Sequence, residues 1–376
     1  MNYQKKKNEY AELLSLVKEQ TVKQFKDGYD FVVKKIPDSD NAGELDPRVL
    51  SVQQQQRQSK NSADEGQPEP ADLTAFEKIA LRMRSGMQVS GSKDITDTEI
   101  VTSKLVINGT NGTIPIRIYR PGNGEKLPVV VFFHGGAFIG GTVDGAENVC
   151  KALSEKADAV VISVDYRLAP EHPFPAGFVD CLDAVNWTWR SAEQLGINRN
   201  QITVAGDSAG ANLAAACALK DKESGTGMIK YQALIYPVVN NAEAVTDDFS
   251  WSIDEYIINR HHEYIMPGIQ EIKDNLEIIR QVYAKNLEAS IPYISPLLAE
   301  QLNDLPEALI LTAEYDYLRL EAEAYARELS RCGVKTRLIQ YNGTNHGFLD
   351  KLGLYPQAED CLDEIAEGIR KCFELN

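Results

Sequence analysis

Five residues, Gly206-Asp207-Ser208-Ala209-Gly210, constrain this chain more than any other stretch, because of what flanks them. Before them runs Ile202-Thr203-Val204-Ala205, short, apolar and β-branched, which reads as a buried strand. After them runs Ala211-Asn212-Leu213-Ala214-Ala215-Ala216-Cys217-Ala218-Leu219, which reads as a buried helix. A Gly-x-Ser-x-Gly between strand and helix demands a turn so sharp that glycine must flank it, and it thrusts the serine hydroxyl out at the sheet edge. As a bare match the five residues are an ordinary tight turn. In this setting they mark Ser208 as a nucleophile.

A serine hydroxyl attacks poorly on its own, so the reading requires a base, an orienting acid and an oxyanion hole. The chain has five histidines, at 134, 172, 261, 262 and 346. His346 lies on a glycine-flanked loop just past the apolar-polar alternation of residues 334–341, and no other histidine follows the serine at a strand end; it is the candidate base. His261 and His262 are adjacent and face different sides of a helix, so they cannot share one metal. His172, between prolines 170 and 173, reads as a loop-fixing residue. No spacing of histidine, cysteine or carboxylate suggests a metal site, and the chemistry calls for no cofactor.

The acid should follow another strand, between serine and base in chain order. The apolar run 308–313 is such a strand, and Glu314-Tyr315-Asp316-Tyr317 follows it. Asp316 is the choice and Glu314 the rival, the latter alternatively a buried structural carboxylate. The oxyanion hole needs backbone N–H groups that approach closely, each worth ~3–4 kcal/mol in the transition state. Gly135 and Gly136, in the loop after the continuous apolar strand 127–133, are expected to supply two, and Ala209 a third.

With these residues in place the chain resembles the hormone-sensitive-lipase-like branch of the α/β-hydrolases, which includes many bacterial carboxylesterases. The resemblance rests on His-Gly-Gly at 134–136, Asp-Tyr-Arg-Leu-Ala-Pro-Glu-His-Pro-Phe-Pro-Ala at 165–176 and Gly-Asp-Ser-Ala-Gly at 206–210. Ala-Glu-Tyr-Asp at 313–316 and His-Gly-Phe at 346–348 extend it, and it covers about residues 95–376. It implies Ser208 as nucleophile, His346 as base, Asp316 as acid, and Gly135, Gly136 and Ala209 as the oxyanion hole. It also implies that His134 braces the oxyanion loop without moving protons, and that two copies pair through the last strand and helix. Three positions depart from the pattern: Ala137 stands where relatives often carry a third glycine, Ala211 where glycine is frequent, and Tyr317 where proline is frequent.

The expected fold is therefore α/β: a mostly parallel central sheet with helices on both faces, an antiparallel hairpin before it and a helical cap. The expected organisation is an N-terminal cap segment over residues 1–90 with a polar connector near 51–72. A hydrolase core over 91–376 follows, with a cap insertion near 245–290. Residues 4–36 carry apolar side chains at helical spacing and eight lysines against five acids, which reads as one long helix with a solvated basic face. Asn111-Gly112 marks the turn of a hairpin between strands near 99–107 and 113–119.

Thirty-nine basic against 55 acidic side chains give a net charge of −16, which disfavours nucleic acid and anionic membrane as partners. There is no run of eighteen apolar residues to span a membrane. The amino terminus lacks the apolar stretch of a signal peptide and the six cysteines form no framework, so a reducing cytoplasm is expected. The function these features point to is hydrolysis of small, soluble carboxylic esters through an acyl-serine, with activity falling on the acid side through a pKa near ~6–7. An amidase or peptidase with the same triad, or a ligand-binding protein that has lost catalysis, is the alternative.

Overall fold

The apolar run Leu127–Phe133 is buried along its whole length because a strand flanks it on either side and helices cover it. The computed structural model that shows this describes residues 2–60, 73–87, 91–122 and 124–375. Helix α1 (Asn2–Glu19) leads into strands β1 (Thr21–Lys26) and β2 (Tyr29–Lys34), then helices α2 (Pro47–Lys60) and α3 (Ala75–Gly86). The antiparallel pair β3 (Ile100–Gly109) and β4 (Gly112–Pro121) precedes β5 (Leu127–Phe133), α4 (Glu147–Ala157) and β6 (Val160–Val164). Next come α5 (Ala176–Arg190), the short α6 (Ala192–Leu195), β7 (Ile197–Asp207), α7 (Ala209–Glu223) and β8 (Ile229–Ile235). Helix α8 (His262–Ile279), β9 (Glu307–Tyr315), α9 (Arg319–Arg331), β10 (Thr336–Asn345) and α10 (Pro356–Cys372) complete the order.

The described strands form one sheet in the order β1-β2-β10-β9-β8-β7-β5-β6-β4-β3. From β2 to β6 every neighbouring pair is parallel; β1 and the β3–β4 hairpin are antiparallel additions at the two ends. Parallel strands need crossover helices: α5 and α7 are two of them and pack together on the sheet, while the crossover helix α4 packs against the terminal helix α10. Register then positions the chemistry. Phe133 lies opposite Gly206 and Asp207 opposite Ile235, so the loops after β5 and β7 leave the sheet side by side. Among the described residues no helix is long and apolar enough to cross a membrane.

The structure departs from the sequence reading in four places. Residues 4–36 are not one helix: α1 stops at Glu19, and β1 and β2 form a hairpin with Lys26 opposite Tyr29. The cause is local. Thr21, Val22, Phe25, Phe31, Val32 and Val33 favour a pleated surface, and Asp27 and Gly28, with φ of 51° and 79°, make the two-residue turn that matches strand twist. The polar run after residue 51 is helical as far as Lys60, because Asp46 and Pro47 begin a helix well and glutamine continues it. The remainder of that connector, 61–72, lies outside the described residues. The hairpin between β3 and β4 reverses one residue earlier than expected, at Thr110-Asn111, between the paired Gly109 and Gly112. Finally, the last strand is not at the sheet edge: β2 pairs along β10, and the Lys18 ammonium of α1 meets Asp363 of α10 at 2.8 Å. The last strand, one of the two elements through which two copies were expected to pair, is met at Ile339–Tyr341 by this chain's own β2.

Candidate active site

The turn at Ser208 has the geometry its glycines require. Ser208 itself holds a positive φ of 54° with ψ −117°. A Cβ on Gly210 would lie 1.9 Å from the Phe133 carbonyl oxygen, and one on Gly206 2.5 Å from the same atom, so neither position admits a side chain. Helix α7 starts at Ala209, with its N-terminal N–H groups at the mouth of the site.

The structure brings the three widely spaced residues together. Ser208 Oγ lies 2.9 Å from His346 Nε2, and His346 Nδ1 lies 2.6 Å from Asp316 Oδ2. An ionised carboxylate only accepts, so Nδ1 carries the proton and Nε2 is left to accept from the serine hydroxyl. The Asp316 side chain is wholly inaccessible, and its other oxygen accepts the Leu318 N–H at 2.9 Å. Burial pulls the His346 pKa down, but the Asp316 carboxylate, helped by Asp207 and Asp350, outweighs it, and the net shift is upward from 6.5. Glu314, the rival acid, points elsewhere: its carboxylate accepts the Gly343 N–H at 2.7 Å.

The oxyanion loop requires one correction. Gly135 N–H donates to Asp207 Oδ1 at 2.8 Å, so it is committed to that carboxylate and is not open to the cavity. The Gly136 and Ala137 N–H groups, in contrast, are paired with no acceptor among the described residues. Both residues hold positive φ, 124° and 56°, and both line the cavity that contains Ser208. Asp207 was in view in the pentapeptide, but nothing in sequence spacing says which loop its side chain grips. Burial and the nearby Asp350 push the Asp207 carboxyl up to about 7. His134 stacks on Tyr166 with ring centroids 4.5 Å apart, and the Tyr166 hydroxyl donates to the His134 carbonyl at 2.7 Å. Its Nδ1 lies 2.8 Å from the Gly135 carbonyl oxygen, and burial lowers its pKa to about 4. It is a neutral ring within the loop, and among the described residues its hydrogen bonds go to Gly135 and Tyr166, not to Ser208 or His346.

A cavity of about 390 Å³ opens over Ser208 and His346. Gln56 from α2, Met87 just beyond α3, and Ile272, Leu276 and Ile279 from α8 line it from above. The 245–290 stretch also buttresses the site from behind, which its composition did not signal. Tyr256 donates to the Asp316 carbonyl at 2.8 Å, Trp251 Nε1 to the Tyr317 carbonyl at 3.2 Å, and Tyr283 stacks on Phe138 of the oxyanion loop with centroids 3.9 Å apart.

Comparison with known proteins agrees with this architecture. A family model described as the alpha/beta hydrolase fold matches residues 130–350. An arylesterase of Saccharolobus solfataricus is 38% identical over 63% of this chain and 73% of its own length. The esterase LipI of Mycobacterium tuberculosis is 34% identical over 72% of this chain and 82% of its own. A solved esterase of Pyrobaculum calidifontis superposes with a TM-score of 0.68 at 34% identity, covering 88% of this chain and all 100% of that one. With its parallel sheet, its strand-turn-helix serine and these relatives, the chain belongs to the alpha/beta hydrolase fold family, in its hormone-sensitive-lipase-like branch.

Proposed function

We propose that this protein is a serine carboxylesterase that cleaves small, soluble carboxylic esters through an acyl-serine intermediate. The observation that carries the reading is the continuous relay from Ser208 Oγ to His346 to Asp316, at 2.9 and 2.6 Å, beneath unpaired backbone N–H groups. His346 Nε2 takes the hydroxyl proton as Oγ attacks the ester carbonyl carbon. The carbonyl oxygen, now an alkoxide, is held by the N–H groups of Gly136, Ala137 and Ala209. The imidazolium then returns the proton to the departing alcohol. Water enters, gives its proton to Nε2, attacks the acyl carbon, and the acid leaves as Ser208 recovers its proton. Asp316 keeps Nδ1 protonated and stabilises the imidazolium. Helices α2 and α8, with Met87 just beyond α3, act as the cap, and the cavity of about 390 Å³ that they roof favours short acyl groups.

Only neutral His346 accepts a proton, so kcat/KM should rise with pH through the pKa of the free enzyme. Because the folded-state pKa lies above 6.5, imidazolium persists to higher pH than for an ordinary histidine, and the acid limb is displaced upward. Initial rates on a chromogenic acetate or butyrate ester across pH test both statements. Hydrolysis with a limb above 6.5 is expected; no hydrolysis, or a rate flat into the acid range, contradicts the reading.

A further inference from the structure

We propose that Glu314 is a positioning residue for His346, acting through the bulge that delivers the histidine to Ser208. The proposal rests on the esterase reading above and adds a residue to it.

The ladder between β9 and β10 pairs Ala313 with Tyr341 and Tyr315 with Asn345. Three residues of β10, Asn342, Gly343 and Thr344, therefore stand opposite the single residue Glu314. Such an insertion leaves amide groups without ladder partners, and those groups must be satisfied from elsewhere. Glu314 Oε2 takes the Gly343 N–H at 2.7 Å. On the other side, the backbone N–H of Asp46 donates to the Gly343 carbonyl at 3.0 Å. Gly343, with φ of 71°, is gripped between the two: a Cβ there would meet Asp46 N and Ile36 Cγ1, each at 2.7 Å. The Thr344 hydroxyl closes the bulge on the Tyr341 carbonyl at 2.8 Å.

The bulge ends one residue before β10 does, and His346 is the next residue after β10. Where the strand resumes at Asn345 thus decides where the imidazole lands. Glu314 touches no reacting atom; its reach is through the Gly343 peptide. Burial pushes its carboxyl up to about 7, against the pull of the Gly343 N–H, the Arg319 guanidinium and the Tyr315 hydroxyl. A displacement of about 1 Å in a reacting group costs on the order of a hundredfold in rate, so a modest change in the bulge is enough to read out.

The test compares Glu314→Asp with Glu314→Gln in the full chain, alongside wild type and Ser208→Ala, on one short chromogenic ester. Asp keeps the charge but is one methylene too short to hold the Gly343 N–H. Gln loses the charge but keeps an acceptor oxygen at the same reach. The expected result is a kcat lowered about ten- to hundredfold in Glu314→Asp with KM within about twofold, and a kcat within about threefold of wild type in Glu314→Gln. A Glu314→Asp enzyme as fast as wild type, or a Glu314→Gln enzyme as slow as Glu314→Asp, overturns the assignment while Ser208-dependent turnover stands. Wild-type turnover that survives Ser208→Ala overturns the esterase reading itself, and this assignment with it.

Discussion

Ser208→Ala should fold as the wild type does and lose ester hydrolysis by about 10⁴-fold or more. The effect corresponds to about 5 kcal/mol of activation free energy, because the change removes the atom that forms the acyl bond while leaving the oxyanion donors and the cavity in place. The fold has little stake in that atom. Among the described residues Ser208 Oγ bonds only to His346 Nε2, whereas the turn is held by the Ser208 N–H on the Ile235 carbonyl at 2.9 Å and by the bare glycines beside it. Alanine has the same Cβ and tolerates the same positive φ no worse. Initial rates and thermal melting of the two proteins settle the point; a loss smaller than about tenfold would be incompatible with a serine nucleophile.

Asp316→Asn should lower kcat by a comparable factor, on the order of 10⁴, for a different reason. A carboxylate facing Nδ1 at 2.6 Å forces the proton onto that nitrogen. An amide donates as readily as it accepts, so the ring can settle in the other tautomer, with Nε2 protonated and unable to take the serine proton. The substitution also removes the Asp316 charge, the largest influence raising the His346 pKa, and leaves the burial that lowers it. The acid limb of the residual activity should therefore move to lower pH than in wild type. Glu314→Gln, two residues away, should do neither. Opposite outcomes at two neighbouring acids, one facing the histidine and one facing Gly343, would separate relay from scaffold.

Much of this was legible before any coordinates, because the catalytic residues sit in segments whose local signals agree. A β-branched run, a glycine-flanked serine and an alanine-rich run say strand, turn and helix without help from the rest of the chain, and the structure has β7, Ser208 and α7 there. What could not be read is whatever depends on contacts between distant segments. Gly135 and Gly136 look alike in sequence, yet Gly135 is drawn away by Asp207, 72 positions later, and Ala137 has the open N–H instead. Glu314 and Asp316 are both plausible acids until the register of β9 against β10 turns one of them toward the bulge. The amino terminus misled because helical spacing survived by chance across Asp27-Gly28, a turn whose meaning appears once β2 is laid along β10.

The most direct measurement is covalent. The intact protein should be treated with an organophosphonate ester, weighed, and its peptides mapped. One adduct per chain on Ser208, forming in step with the loss of esterase activity and absent from Ser208→Ala, is the predicted result. Complete inactivation with Ser208 unmodified, or undiminished hydrolysis by fully labelled protein, would contradict the account.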